Sequence, residues 1–166
     1  MRDEHRTLIV ETGAGACGVG FLGGAVARLW LPGSDRTAMT AWGKPTDGHP
    51  RLTEKIVDYF AGRRVSFADV PAVIDAPSFA RSVYETLRTV AWGESITYGQ
   101  LAQRAGRPSA ARGVGRIVGA NPIPLIVPCH RVMGADGKLT GFSAPGGIDA
   151  KGRMLDLEGI PYRREQ

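Results

Sequence analysis

One stretch constrains this chain more than any other: Leu125-Ile126-Val127-Pro128-Cys129-His130-Arg131-Val132. An apolar run reads as a buried strand, a proline ends regular pairing, and a thiol, an imidazole and a guanidinium follow at once. Asn121-Pro122-Ile123-Pro124 leads into it as a rigid turn whose prolines donate no backbone hydrogen bond. The backbone at Cys129 is thereby fixed while its side chain faces a pocket. A free thiol ionises near pH ~8.5, so a neighbouring base or positive charge must raise its thiolate fraction. His130 supplies the base. On an extended segment adjacent side chains point to opposite faces, so a break after the strand or a bridging water has to couple the two. The imidazolium formed needs a carboxylate on its other nitrogen. Lys151–Glu158 reads as a short helix offering Glu158, with Asp149 and Asp156 as rivals.

The rest of the composition narrows the chemistry. With 166 residues, 43% of them hydrophobic, and only two cysteines, a core forms without a disulfide framework. Cys17 and Cys129 belong to no CxxC pair or Cys/His cluster, which implies a reduced, cytoplasmic protein with neither metal nor cofactor. Cys17, between glycine-rich stretches, reads as a packing residue in a turn-like region, and His5 and His49 as isolated and solvent-facing. The charged opening Met1-Arg2-Asp3-Glu4-His5-Arg6 and the lack of a long apolar span predict no signal peptide and no membrane helix. A net charge of +5 favours an anionic partner.

Short apolar runs separated by glycines, Thr7–Thr12, Val19–Phe21 and Val26–Leu31, predict a small antiparallel sheet. Residues 33–50 read as loop. Leu52, Ile56, Tyr59 and Phe60 recur at helical spacing, and Gly62 caps that helix. After residue 77 the pattern changes. Ser78 is expected to cap a helix carrying Phe79, Val83, Leu87 and Val90 on one stripe. Thr97 and Gln100 satisfy the capping-box rule for a second helix that Gly106 stops, and Pro108 opens a third. These last two form a helix-turn-helix candidate. Ala110, Ala111 and Gly113 permit close approach to a nucleic-acid backbone, while Arg112 and Arg116 share a face and can meet phosphates. Close helix–helix packing with two solvated arginines explains the same residues equally well.

Taken in order, Thr97-Tyr98-Gly99-Gln100-Leu101-Ala102, Ala111-Arg112-Gly113-Val114-Gly115, Asn121-Pro122-Ile123-Pro124, Pro128-Cys129-His130-Arg131-Val132, Gly141-Phe142 and Leu157-Glu158-Gly159 closely resemble the O6-alkylguanine-DNA alkyltransferases, also called methylated-DNA-protein-cysteine methyltransferases. The resemblance covers residues 78–160, and the sheet and helix before them fit the family's N-terminal domain. It implies an α+β fold: a small sheet-plus-helix domain over 1–77, then a mainly helical alkyltransferase domain with a helix-turn-helix over 78–166. It also implies DNA repair by a single-turnover methyltransferase without cofactor, in which a cysteine irreversibly takes the alkyl group from O6 of guanine. The implied partner is double-stranded DNA containing O6-alkylguanine, bound by a monomer mainly through the minor groove, with the base flipped out of the stack.

Residue roles follow from the same resemblance. Cys129 is the alkyl acceptor, His130 the water-mediated base and Glu158 its carboxylate partner. Asn121 braces the turn, and Tyr98 meets the base on the side of N3. Val132, Phe142 and Ser143 join Tyr98 around the substrate. Ala110, Ala111, Gly113 and Arg116 face DNA, with Arg112 replacing the extruded guanine. The chain departs from the family in three places. Phe142 stands where Tyr is frequent, Ser143–Gly147 is longer than the usual glycine-rich lid, and Val90-Ala91-Trp92-Gly93 replaces an apolar-Pro pair before glycine. A cysteine hydrolase would share the Cys/His chemistry but needs an oxyanion hole. A noncatalytic alkylated-DNA lesion-binding protein is the nearer alternative in fold, and Cys129 argues against it, since such relatives carry tryptophan there.

Overall fold

The computed structural model describes residues 4–164, so Met1, Arg2 and Asp3 of the charged opening lie outside the described residues. The glycine-punctuated apolar runs form an antiparallel meander of β1 (His5–Thr12), β2 (Gly15–Leu22) and β3 (Ala25–Trp30), with β2 between the other two and buried from Cys17 to Phe21. Gly23 and Gly24, at φ 57° and 82°, make the β2–β3 turn in the left-handed region that a side chain resists. Cys17 lies within β2, fully buried, where the sequence suggested a turn.

Residues 33–50, expected as loop, hold further elements. Asp35 accepts from Thr37 N at 2.9 Å and starts α1 (Arg36–Trp42), and β4 (Lys44–Pro45) pairs parallel with β1. The glycines and prolines that suggested a loop flank α1 instead of interrupting it. α1 lies against β2 so closely that a Cβ on Gly20 would stand 2.6 Å from Trp42 Nε1. α2 (Pro50–Phe60) buries Leu52, Ile56 and Tyr59 and is followed by Gly62 at φ 80°, as its periodicity predicts.

The second half is helical. α3 (Ser78–Leu87) begins with Pro77 at the cap position, so Ser78 is its first helical residue and makes no cap. α4 (Tyr98–Arg104) carries the expected capping box, with Thr97 Oγ1 3.1 Å from Gln100 N and Gln100 Oε1 2.9 Å from Thr97 N. α5 (Ala111–Gly119) starts beyond Pro108, which lies in the preceding turn instead of opening the helix, and Tyr84 of α3 donates to the Ile117 carbonyl of α5 at 2.6 Å. A short parallel ladder of β5 (Ile96–Thr97) and β6 (Val132–Met133) ties the start of α4 to the residues after the Cys129 turn. α6 (Gly147–Glu158) begins a turn earlier than the sequence suggested and ends on left-handed Gly159. No helix among the described residues is long and apolar enough to cross a membrane.

The largest local departure is at 125–127, which is a buried turn and no strand. Leu125 sits at φ 72°, and Val127 N returns to Ile123 O at 2.9 Å. Pro122, Pro124 and Pro128 deny a ladder the donors it needs, so the segment closes on itself. Cys129 opens a single 3-10 turn, Cys129–Arg131, instead of ending a strand. That turn is the chain break needed for neighbouring side chains to cooperate.

Candidate active site and nucleic-acid interface

The bend holding Cys129 is braced from within. Asn121 Nδ2 donates to Val127 O at 2.8 Å while its Oδ1 accepts from Ile123 N at 3.0 Å, so one side chain satisfies both arms of a segment whose prolines cannot. From the N-terminal domain, Leu29 N donates to Pro122 O at 2.9 Å and docks β3 onto the same bend. Cys129 is only 8% exposed. Burial pushes its thiol up, against the lowering influence of Asn121 and of the Lys151 charge, so the resting thiol is protonated and needs a base.

His130 is fully buried, and burial lowers its pKa against the pull of Glu158, which keeps the ring neutral and able to accept a proton. Its Nε2 is hydrogen-bonded to Glu158 Oε2, while its buried Nδ1 has no partner among the described residues. Glu158 also accepts from Arg131 Nε on Oε1 at 2.7 Å and from the Tyr59 hydroxyl on Oε2 at 2.7 Å. Burial would raise the Glu158 carboxyl, but His130 and Arg131 outweigh it and bring it down to about 2. Arg131 is fixed at its other end by Val90 O at 2.6 Å. Of the three carboxylates offered by the sequence, Glu158 alone meets the imidazole: Asp149 pairs with Arg164 at 2.9 Å, and Asp156 accepts from Tyr162 at 3.2 Å. The arrangement places an ionised carboxylate behind a neutral imidazole whose remaining nitrogen is open to a proton.

Cys129 opens onto a cavity of about 320 Å³ that Asn121, Phe142 and Ser143 also line. Arg28, Trp30 and Leu31, at the end of β3, form its other wall, so the N-terminal domain closes the space around the thiol. The Ser143 hydroxyl donates to Gly119 O at 2.8 Å and ties the loop before α6 to the end of α5. Val132 is fully buried in β6, and its carbonyl accepts from Lys151 Nζ at 2.6 Å. Lys151 is itself buried, and that burial lowers its pKa to about 8. Tyr98 reaches Thr140 Oγ1 at 3.0 Å, and Thr140 lies 3.4 Å from Lys151 Nζ, so Tyr98 sits at the end of a polar chain instead of on the cavity wall.

The second helix of the helix-turn-helix presents a cationic surface. Arg112 and Arg116 are exposed, Ala110, Ala111 and Gly113 are partly exposed, and open space lies beyond the Cα of Gly113. No acidic residue occupies the first turn of α5. The first turn of the helix therefore offers an anion no like-charge repulsion. No group of three His, Cys, Asp or Glu side chains capable of holding a metal occurs among the described residues.

Sequence reasoning passed over Tyr59, Lys151 and the β3 wall. Tyr59 sits at a core position of α2, and periodicity alone reads it as packing. Lys151 was legible in principle, because its spacing with Met154, Leu155 and Glu158 places it on the buried face of α6. Nothing local signals that β3 ends against the thiol's cavity.

Comparison with known proteins agrees with this arrangement. A family model described as "6-O-methylguanine DNA methyltransferase, DNA binding domain" matches residues 78–160. The methylated-DNA–protein-cysteine methyltransferase of Haemophilus influenzae is 45% identical over 104 residues, which are 63% of this chain and 57% of that protein. The match therefore spans less than two thirds of that relative. The methyltransferase of the same name from Mycolicibacterium paratuberculosis is 42% identical over 119 residues, 72% of this chain and 70% of that protein. The crystal structure of Mycobacterium tuberculosis OGT in complex with DNA superimposes with a TM-score of 0.77 at 34% identity, covering 93% of each chain. With sequence agreement over up to 72% of the chain and fold agreement over 93% of it, the chain belongs to the O6-methylguanine-DNA methyltransferase family.

Proposed function

We propose that this protein repairs DNA by transferring an alkyl group irreversibly from O6 of guanine to Cys129. The observation that carries the reading is the Cys129–His130–Glu158 arrangement, a protonated thiol beside a neutral imidazole whose outer nitrogen is bonded to an ionised carboxylate and whose inner nitrogen is unoccupied. His130 Nδ1 takes the thiol proton, directly or through one water, and the charge it acquires is offset by Glu158. Cys129 Sγ then attacks the alkyl carbon. The S–C bond forms as the C–O6 bond breaks, and the electron pair leaves with guanine. Tyr98, turned away from Thr140 by the incoming base, donates to it on the side of N3, guanine takes a proton from solvent, and His130 returns its own to solvent. The thioether is stable and nothing in the site reverses it, so each molecule acts once.

A thiol this buried cannot reach O6 inside a stacked duplex, so the base must be extruded. α5 is the element suited to this. Ala110, Ala111 and Gly113 bring its backbone close to DNA in the minor groove, Arg112 fills the space the base leaves, and Arg116 meets phosphate. Phe142 packs against the extruded guanine within the cavity and Ser143 lines the same space, while Val132, buried in β6, contributes through the carbonyl that holds Lys151. The same reading divides the chain into an N-terminal domain of residues 1–77 and a DNA-binding, alkyl-accepting domain of 78–166, and has it act as a monomer. The test is a titration of duplex carrying O6-methylguanine against wild-type protein and Cys129→Ala. Transfer should plateau at one equivalent in the first, and be lost with DNA affinity retained in the second. Transfer by Cys129→Ala, or continued turnover by wild type, would reject the proposal.

A further inference from the structure

We propose that Tyr59 is a positioning residue of the alkyl-transfer reaction, through which the N-terminal domain holds the His130–Glu158 pair in its reactive orientation. The inference rests on the function proposed above and adds a residue from outside the matched domain. Tyr59 belongs to α2, is fully buried, and crosses the domain boundary to put its hydroxyl 2.7 Å from Glu158 Oε2 and 3.2 Å from His130 Nε2.

The hydrogen-bond count explains why the hydroxyl matters. Glu158 Oε1 is held by Arg131, which fixes one oxygen but leaves the carboxylate free to pivot about it. Tyr59 and His130 meet on Oε2, so the Tyr59 donor stops that rotation and keeps Oε2 in front of Nε2. With Nε2 hydrogen-bonded to the carboxylate, the neutral ring carries its proton there, and Nδ1 is the nitrogen left to accept one. Burial and the neighbouring Glu158 raise the Tyr59 phenol well above its usual value, so it remains a donor at any working pH. Its ring is separately held edge-on against Phe60 at 5.1 Å and Trp92 at 5.6 Å, so a phenylalanine can keep the packing and lose only the donor.

The other groups that bear on the thiol and the ring are Glu158 and Lys151 from α6, Arg131 from the 3-10 turn and Tyr84 from α3. None of them is altered by Tyr59→Phe, so a changed titration in that variant reports the missing hydroxyl. Two measurements on the full chain decide the matter. Under single-turnover conditions Tyr59→Phe should transfer methyl about tenfold more slowly, the lower end of what a hydrogen bond to a charged group is worth, with DNA affinity unchanged. Independently of any DNA chemistry, the pH profile of Cys129 labelling by iodoacetamide, read on its own peptide, should move to higher pH.

Phe60→Leu loosens the packing of the same ring but leaves the hydroxyl, and should keep the wild-type labelling profile. Added to Glu158→Gln, the Tyr59→Phe change should have no further effect. An unchanged profile in Tyr59→Phe overturns the proposal, as does a shift to lower pH, which would mean that the hydroxyl only drains charge from Glu158. An equal shift in Phe60→Leu overturns it in favour of packing. Should wild-type protein transfer no methyl group, the proposed function fails while the labelling experiment still decides the role of Tyr59.

Discussion

Replacing Glu158 by glutamine isolates the carboxylate on which the site is built. The side chain is completely buried, and its carboxyl is held at about 2 against an ordinary 4.5. By linkage this difference contributes at most about 3 kcal/mol to native stability at neutral pH, where His130 is neutral and Arg131 alone supplies charge. The figure matches the ~3–5 kcal/mol lost when one partner of a buried pair is removed, here leaving Arg131 without its counter-charge. Because the folded value lies below the unfolded one, the contribution is complete above pH 4.5 and lost as pH falls toward 2. The stability gap between wild type and Glu158→Gln should therefore shrink to about 2 kcal/mol at pH 3.5. With a urea dependence of about 2 kcal/mol per molar, the midpoint of the variant should fall by about 1.5 M at pH 7. Urea titrations at pH 7 and 3.5, followed by tryptophan fluorescence, measure both. A gap that is absent at pH 7, or that stays constant between the two, would refute the view that an ionised Glu158 holds the site together.

Arg112→Ala should slow repair of duplex DNA far more than reaction with the free modified base, with an intermediate loss on a single strand, because only stacked DNA needs a group to replace the extruded base; equal fractional losses in single-turnover rates would assign Arg112 a general role. Arg116→Ala should weaken DNA binding regardless of sequence and lower the slope of log K against log salt by about 1, as expected for one lost phosphate contact, in fluorescence titrations. Gly20→Ala should destabilise the N-terminal domain by about 1–3 kcal/mol, since the added methyl would stand 2.6 Å from the rigid Trp42 ring; an unchanged melting temperature would contradict the observed packing.

The fold was most legible where local chemistry decides structure alone. The Thr97/Gln100 capping box, the left-handed glycine after α2 and the glycine turn between β2 and β3 are all consequences of short-range rules, and the structure shows each of them. Reading failed where two local signals competed. Leu125-Ile126-Val127 has the composition of a strand, but three prolines around it remove the donors a strand requires, and the chain turns at Leu125 instead. Residues 33–50 carry so many turn formers that the helix between them was hidden, although Asp35 is the N-cap its start needs. At the candidate site, the residues adjacent to Cys129 were visible because chemistry there is written in consecutive letters. Glu158, 28 residues from His130, was found only as one of three acids. Tyr59, 71 residues from His130, gave no signal, because an interdomain hydrogen bond leaves no periodicity or spacing behind it.

The proposed transfer ends on one sulfur atom, and the chain contains its own control. Cys17 is fully buried in β2, where burial pushes its thiol up to about 12, and it has no base beside it. Intact-protein and peptide mass spectrometry after exposure to excess duplex containing O6-methylguanine therefore tests residue, reaction and stoichiometry together. A single added methyl group per chain is expected, confined to the peptide carrying Cys129, with Cys17 unmodified. Unmodified protein in the presence of repaired DNA, or a methyl group on any other residue, would contradict it.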